Sequence, residues 1–318
     1  MNKKIKLLSI VSVVILLLAL VIYINIPKKD SNNNEVMLKN IDTDLAFAVF
    51  GDVHENIGHF QEAIDDFYKI NPNMDALILN GDVVDQGLDE QYSSVEDTLN
   101  ENKDLLPKVI IKNIGNHEFF DYNNEINSKE QVQEFIDKYL EFSGEEKVYH
   151  DKWVNGYHFI SLGSEDGNSE TMNSVTAFLS NEQLEWLKEK LAEGYEAGKP
   201  IFVFLHQQLE YPNPAWVGVE QSEELRRILE EYPEVVLFSS HTHRDIDESS
   251  VDINKPFTIV NTGAIHYTLV FDSTVDGGIR REKNYINGVY IEVKDNNVTI
   301  KGRDIKEGQW RYQIEVSK

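Results

Sequence analysis

Seven residues of metal-ligand type lie in five short clusters along the 318-residue chain. They offer imidazole, carboxylate and amide groups but no sulfur: Asp52, His54, Asp82, Asn116, His206, His241 and His243. That mixture suits Mn, Fe or Zn better than calcium, and two such ions need a carboxylate that both can share. Because the chain has no cysteine, disulfides and thiol nucleophiles are excluded, and a metal site must use His, Asp, Glu or Asn.

Each cluster follows an apolar run that has the pattern of a buried strand. These predicted strands cover residues 45–50, 76–79, 109–114, 201–205 and 235–239. Helical patterns alternate with them at residues 59–70, 88–101, 181–195 and 222–231. This order is typical of an α/β sheet with parallel strands, and ligands of such sheets gather beyond the carboxyl ends of the strands. The five clusters are therefore expected at one sheet edge.

The second half of the chain adds a helix start and a change of pattern. Ser180-Asn181-Glu182-Gln183 predicts a capping box at the start of the third helix. Antiparallel strands are predicted at residues 257–260, 285–293, 298–304 and 310–316. No internal repeat occurs and no domain boundary is evident after residue 41, so residues 42–318 are predicted as one domain.

Taken in order, the clusters resemble the blocks of the calcineurin-like metallophosphoesterase family. They read Asp52-Val53-His54, Gly81-Asp82-Val83-Val84-Asp85, Gly115-Asn116-His117-Glu118, His206 and Ser240-His241-Thr242-His243. The resemblance covers roughly residues 45–265. It implies a catalytic domain with an α/β fold, a four-layer α/β/β/α sandwich that holds two metal ions at one edge.

The resemblance also implies a role for each cluster. Asp52, His54 and His243 are implied as ligands of one metal, and Asn116, His206 and His241 as ligands of the other. Asp82 is implied as the ligand that bridges the two. Two such ions lower the pKa of a bridging water, and the resulting hydroxide attacks phosphorus. His117 is implied as the group that protonates the leaving alkoxide, and Asp85 as the group that orients His117 by a hydrogen bond.

Three residues are expected to contact the substrate. Asn116 is a metal ligand that also reaches the phosphate, His266 ends a predicted strand near the site, and Arg244 directly follows the last ligand. A surface role for Arg244 fits the sequence equally well. Where the family often has glycine, this chain has Glu55 and Ser240, and neither change removes a ligand.

These features predict hydrolysis of a small phosphate ester. A phosphodiester such as a nucleotide or cyclic nucleotide is favoured by analogy with bacterial members of the family, and Glu55 would disfavour highly charged monoesters. Gln86 stands where protein Ser/Thr phosphatases have arginine, which counts against protein substrates. A phosphomonoesterase of the acid-phosphatase type is an alternative, although its metal-binding tyrosine has no counterpart here. A non-catalytic scaffold protein stabilised by metals is another, and the sequence leaves the oligomeric state open.

The N-terminus predicts a location at the cell membrane. Residues 7–26 carry no charge and are long enough to cross a bilayer, and three lysines precede them. We therefore predict a cytoplasmic stub and single-pass signal anchor at residues 1–27, a polar stalk at 28–41 and an extracytoplasmic domain. A cleaved signal peptide, and so a secreted protein, is the alternative.

The charge of the chain argues against one class of partner. The net charge is −25, and the first 30 residues are net positive, so the remainder is more acidic still. Such a surface repels nucleic-acid polymers, so none is expected to bind. The Lys-, Asn- and Ile-rich, cysteine-free composition is typical of a bacterial source.

Overall fold

A computed structural model describes residues 43–209 and 218–317. The predicted anchor at residues 1–27 and stalk at residues 28–41 lie outside the described residues, so both stay predictions. Among the helices that are described, none combines the length and the apolar character needed to cross a bilayer.

The described residues form five α-helices and fourteen β-strands. The helices are α1 (Ile57–Ile70), α2 (Asp89–Glu101), α3 (Lys129–Ser143), α4 (Asn181–Ala192) and α5 (Ser222–Glu230). The first seven strands are β1 (Leu45–Phe50), β2 (Ala76–Asn80), β3 (Val109–Asn113), β4 (His150–Val154), β5 (Tyr157–Ser161), β6 (Ile201–Phe204) and β7 (Val235–Ser239). The others are β8 (Val251–Asp252), β9 (Thr258–Asn261), β10 (Thr268–Phe271), β11 (Ile279–Glu282), β12 (Asn287–Lys294), β13 (Asn297–Asp304) and β14 (Gln309–Val316).

Two six-stranded mixed sheets carry the fold. The first has the order β14-β13-β12-β1-β2-β3, with β1, β2 and β3 parallel and the other three antiparallel. The second has the order β4-β5-β6-β7-β9-β8, with a parallel centre and antiparallel strands at both edges. Strands β10 and β11 form a separate hairpin. The parallel strands of each sheet end at a common edge, where the ligand-bearing loops begin.

The apolar core between the sheets is dominated by phenylalanine. Phe47 of β1 is fully buried and meets Phe159 and Phe202 of the second sheet with ring centroids 5.0 and 4.9 Å apart. Both contacts are edge-to-face, an arrangement that stabilises aromatic pairs beyond the area they bury. Phe204 and Phe238 complete the cluster, so the two sheets are locked face to face.

Helices cover the outer faces of both sheets. Because side chains alternate along a strand, Ala46, Ala48 and Phe50 of β1 face away from Phe47, and Phe50 packs in a cluster with Phe60 and Phe67 of α1. On the other side, Leu187 of α4 and Leu225 of α5 pack on the second sheet. The layers run helix, sheet, sheet, helix, and the predicted α/β sandwich is confirmed.

The structure adds elements that the sequence patterns did not predict. Helix α3, strands β4 and β5 and the β10–β11 hairpin were not expected. Charged residues interrupt the apolar positions of α3, β4 and β11, and the apolar runs of β5 and β10 are short. The capping box at Ser180 is half formed. Ser180 accepts a hydrogen bond from the Gln183 N–H, but the Gln183 side chain turns inward to the Gly163 carbonyl oxygen. A complete capping box forms at Ser128, at the start of α3. The Ser128 hydroxyl accepts the Gln131 main-chain N–H, and the Gln131 side-chain oxygen accepts the Ser128 main-chain N–H.

Candidate metal centre

Five strand ends bring the seven predicted ligands together. Strand β1 leads to Asp52 and His54, β2 to Asp82, β3 to Asn116, β6 to His206, and β7 to His241 and His243. All seven side chains are buried, at 6% relative exposure or less. Main-chain hydrogen bonds join the loops, including His54 N–H to the Asp82 carbonyl at 2.9 Å and Ser240 N–H to the His206 carbonyl at 2.9 Å. The centre therefore spans both sheets.

The backbone at the ligands is strained. Asp52, His54, Asp82, His241 and His243 have φ between +48° and +66°, the left-handed region that non-glycine residues rarely adopt. Such strain persists only where surrounding contacts over-determine it, and it clusters at functional sites. The strained backbone of these five ligand residues therefore costs folding stability, and it directs their side chains toward a common centre.

Two glycines permit the close approach of the ligand loops. A Cβ at Gly115 would lie 2.3 Å from the Asp82 Oδ1 atom, and one at Gly81 would lie 2.6 Å from the His206 ring. Gly81 also has φ of +80°. Side chains at these two positions would push the loops apart, so glycine is required for the geometry.

The carboxylates of Asp52 and Asp82 each use one oxygen in a main-chain hydrogen bond, and the other oxygen faces the interior of the centre. The Asp52 Oδ2 atom accepts the His241 main-chain N–H at 3.0 Å, and the Asp82 Oδ1 atom accepts the His117 N–H at 2.8 Å. The other Asp82 oxygen lies 3.1 Å from His206 Nε2 and 3.8 Å from His54 Nε2, so it faces both halves of the centre. A bridging carboxylate needs this placement.

The imidazoles are fixed in the tautomer that a metal requires. His54 Nδ1 faces the Asp85 carboxylate at 3.3 Å, His206 Nδ1 faces the Asn80 carbonyl at 2.8 Å, and His243 Nδ1 faces the Tyr267 carbonyl at 2.9 Å. Because these oxygens only accept, each Nδ1 carries a hydrogen and each neutral ring keeps a bare Nε2. The Nε2 atoms of His54 and His243 are 3.1 Å apart, so the two rings can share a metal ion, or a proton when no metal is bound.

Buried polar atoms without partners also fit metal ions. Among the described residues, Asp52 Oδ1, Asn116 Oδ1 and His206 Nε2 are buried and receive no hydrogen bond. The Asn116 Nδ2 group donates to the Ser174 carbonyl at 3.0 Å, which leaves the amide oxygen as the ligand atom. Leaving such atoms unsatisfied costs roughly 1–3 kcal/mol each, and metal coordination would recover it.

The donor atoms group as two metal sites would. One group within coordination range is Asp52, His54 and His243, and another is Asp82, His206 and His241. A third joins His54, Asp82 and His117, so Asp82 belongs to both sides of the centre. Donors of this kind suit a dinuclear site of divalent or trivalent ions.

The electrostatics of the centre also favour cations. Burial opposes charge on His54, but the carboxylates of Asp52, Asp85 and Asp82 raise the pKa of His54 to about 10. Burial likewise opposes charge on His206, yet Asp82 and Asp52 raise its pKa to about 9. Protons therefore occupy these ligands when metals do not.

His117 lies at the rim, where Asp85 holds it. The His117 Nδ1–H group donates to the Asp85 main-chain carbonyl at 2.9 Å, while the Asp85 carboxylate is 3.4 Å away. The residue expected to orient His117 is thus in place, but the closest acceptor is its carbonyl oxygen. The carboxylate also bonds to His54. Since Nδ1 is engaged, any proton transfer by His117 falls to Nε2.

Two predicted substrate contacts have different surroundings. The His266 ring centroid lies 5.2 Å from that of His54, and its main-chain N–H donates to the Asp52 carbonyl at 2.8 Å. Burial, together with the charges of His54 and His243, lowers the pKa of His266 to about 4, so the ring is neutral. Arg244 is exposed beside the centre, and its predicted contact with a phosphate stays a prediction.

The sequence analysis missed Glu118. Its carboxylate is 1% exposed and accepts main-chain N–H groups from Asp82 at 3.1 Å, Val83 at 2.8 Å and Gly115 at 2.7 Å. Burial and the charge of Asp82 raise the pKa of Glu118. The acidic residue directly after His117 was visible in the motif, but its long-range partners were not.

Comparisons with known proteins agree with this geometry. A family model described as calcineurin-like phosphoesterase matches residues 45–245. The chain is 26% identical over 182 residues to a 3′,5′-cyclic-nucleotide phosphodiesterase from Nostoc sp., an alignment that covers 56% of this chain and 59% of that protein. The chain thus spans about three fifths of the length of this curated relative.

Two solved structures share the fold. A purple acid phosphatase, PPD1 from yellow lupin (Lupinus luteus) seeds, superposes with a TM-score of 0.59 at 14% identity, over 86% of this chain and 53% of that one. GAP50, the anchor in the inner membrane complex of Plasmodium, superposes with a TM-score of 0.56 at 13% identity, over 86% and 88%. At these identities the likeness concerns the fold alone.

Proposed function

Because the chain belongs to the calcineurin-like phosphoesterase family of metal-dependent hydrolases, we propose that it is a dinuclear phosphodiesterase. The observation that carries the proposal is that Asp82 belongs to two donor groups, one with His54 and His117 and the other with His206 and His241. Asp52, His54 and His243 would hold one ion, and Asn116, His206 and His241 would hold the other. When bound, two such ions activate water and neutralise charge on phosphoryl oxygens.

The remaining roles fall to residues of the chain itself. His117 protonates the leaving oxygen from Nε2, because its Nδ1–H is held by Asp85. Asp85 also fixes His54 and so links the proton donor to a metal ligand. The Asn116 amide is oriented by Ser174, so the segment after β5 supports the second ion.

A diester is favoured over a monoester by the charges around the centre. The ion-pair partners of Asp52, Asp82 and Asp85 are all histidines, and no lysine or arginine of the described residues pairs with them. Gln86, at the position of an arginine in protein phosphatases, accepts the Tyr122 main-chain N–H at 2.8 Å. A singly charged diester needs less cationic support than a doubly charged monoester. The cyclic-nucleotide phosphodiesterase activity of the Nostoc relative also supports a small diester such as a cyclic nucleotide.

We further propose that the domain is exported and held at the membrane by residues 1–27. The uncharged run at 7–26 and the lysines before it support this location. Secretion after signal cleavage is the alternative. Detection of the anchored or the cleaved form in membrane and soluble fractions, with the N-terminus sequenced, distinguishes the two.

Hydrolysis of two chromogenic esters tests the function. The full chain is assayed with bis-p-nitrophenyl phosphate and p-nitrophenyl phosphate, with and without Mn²⁺, beside His117→Ala and Asp82→Ala. Asp276→Ala, an exposed carboxylate of the β10–β11 connection, is the matched control. We expect metal-dependent turnover that favours the diester, is lost in both site variants and survives in the control. Preference for the monoester would support a phosphatase, and absence of metal-dependent turnover of either ester would contradict the proposal.

A further inference from the structure

The β10–β11 hairpin begins beside the metal centre and carries an aromatic ring into contact with it. Tyr267, directly before β10, stacks on the His243 ring with centroids 4.0 Å apart and planes inclined by 17°. Its main-chain oxygen also accepts the His243 Nδ1–H at 2.9 Å. Tyr267 is therefore fixed by two contacts with a residue that holds a metal.

A guanidinium group covers the other face of this ring. The guanidinium carbon of Arg281, on β11, lies 3.9 Å from the Tyr267 ring centroid. His243 already occupies one face, so Arg281 uses the opposite one, in a cation–π contact. The two stacking distances place the guanidinium within about 8 Å of the His243 ring.

The neighbouring arginine shows what is distinctive about Arg281. Arg280 is paired with the carboxylates of Asp272 at 3.1 Å and of Glu282. Arg281 is exposed and forms no ion pair with a carboxylate in the part of the chain that the structure describes. In a chain of net charge −25, an arginine beside the active site without an acidic partner is available to an anionic ligand.

We propose that Tyr267 and Arg281 form a subsite for a second phosphate of the substrate. The inference rests on the proposed function, because it places the scissile phosphate at the metals. A guanidinium binds phosphate through paired hydrogen bonds of about 3 Å. The distance of about 8 Å between the Arg281 guanidinium and the His243 ring therefore leaves room for a second phosphate bonded directly to the phosphate at the metals. Among small diesters, the subsite favours those that carry a second phosphate next to the scissile one.

Binding of two matched probes tests the subsite. Di(adenosine-5′) diphosphate and adenylyl-(3′→5′)-adenosine both carry two adenosines but differ in the number of phosphates. Each is titrated calorimetrically into the Mn²⁺-loaded full chain with His117→Ala, which removes the proposed proton donor and so suppresses turnover. Arg281→Ala, Arg281→Lys and the control Arg280→Ala are added to this background.

We expect the parent to bind the diphosphate more tightly than the monophosphate. Arg281→Ala should weaken diphosphate binding about 10–100-fold and abolish the preference, since it removes charge-assisted hydrogen bonds. Arg281→Lys should restore part of it, and Arg280→Ala should keep the parent preference.

Three results would overturn the subsite. One is equal affinity of the parent for both probes, and another is an equal loss for both in Arg281→Ala, which would show that Arg281 only supports Tyr267. The third is the same loss in Arg280→Ala, which would show a general effect of hairpin charge. Because calorimetry needs no turnover, inactivity of the wild-type chain toward bis-p-nitrophenyl phosphate would count against the function and not against the subsite.

Discussion

Glu118 joins two ligand-bearing loops, and its replacement by alanine should loosen both. The carboxylate accepts three main-chain N–H groups, two from the loop that carries Asp82 and one from Gly115 in the loop that carries Asn116. Alanine would leave those donors buried and unpaired, at roughly 1–3 kcal/mol each when water cannot reach them. Partial relaxation reduces the sum, so we expect a loss of about 3–5 kcal/mol in the free energy of unfolding.

Metal affinity should fall together with stability. Residues that orient metal ligands typically contribute about 10–100-fold to affinity, and Glu118 positions one ligand of each site. Urea unfolding of the EDTA-treated chain measures the free energy of unfolding, and a calorimetric titration with Mn²⁺ measures the metal affinity. Glu125→Ala, an exposed carboxylate on the same segment, is the matched control and should change neither.

Two outcomes would refute this reasoning. If Glu118→Ala lost less than about 1 kcal/mol, the three hydrogen bonds would not stabilise the fold as their burial implies. If stability fell while metal affinity stayed at the wild-type value, the loops would keep the ligands in place without the carboxylate. Glu118→Gln should be intermediate, since the amide keeps one acceptor oxygen but places a donor opposite an N–H group.

Further expected outcomes concern the core, the strained loops and the metals. Phe47→Ala should destabilise the chain by about 3–5 kcal/mol in urea unfolding, because it empties the ring cluster between the sheets. Glu55→Gly should stabilise it by about 1 kcal/mol in the same assay, since Glu55 has φ of +53°. Gly115→Ala should abolish metal binding measured by calorimetry, because its Cβ would meet Asp82. Addition of Mn²⁺ at about 100 times its dissociation constant to EDTA-treated chain should raise the melting temperature by roughly 5–10 °C in calorimetric scans.

The elements that position the site were predictable because their patterns are local. Strands β1 and β7 have the predicted bounds, since each is an unbroken apolar run that ends in polar residues. The ligand set could be proposed for a similar reason, because each ligand follows a strand that must be buried. Helix α3 and strand β11 were missed because charged residues interrupt their apolar positions, and β10 was missed because the strand is only four residues long.

What the sequence could not give depends on contacts between distant segments. Glu118 reaches residues 35 and 36 positions away, and Arg281 reaches Tyr267 only because the hairpin folds back. The positive φ angles of Asp52 and Asp82 have no sequence signature either, and main-chain hydrogen bonds between distant positions join the loops that carry them. These long-range contacts support the loops that carry the ligands.

The metal content of the working enzyme tests the central claim most directly. The full chain is stripped with EDTA and titrated with Mn²⁺ while bound metal and bis-p-nitrophenyl phosphate turnover are measured in the same samples. Two sites that share Asp82 predict that turnover reaches its maximum at two ions per chain and that Asp82→Ala binds fewer ions and stays inactive. Full turnover at one ion per chain, or with no bound metal, would contradict the dinuclear account.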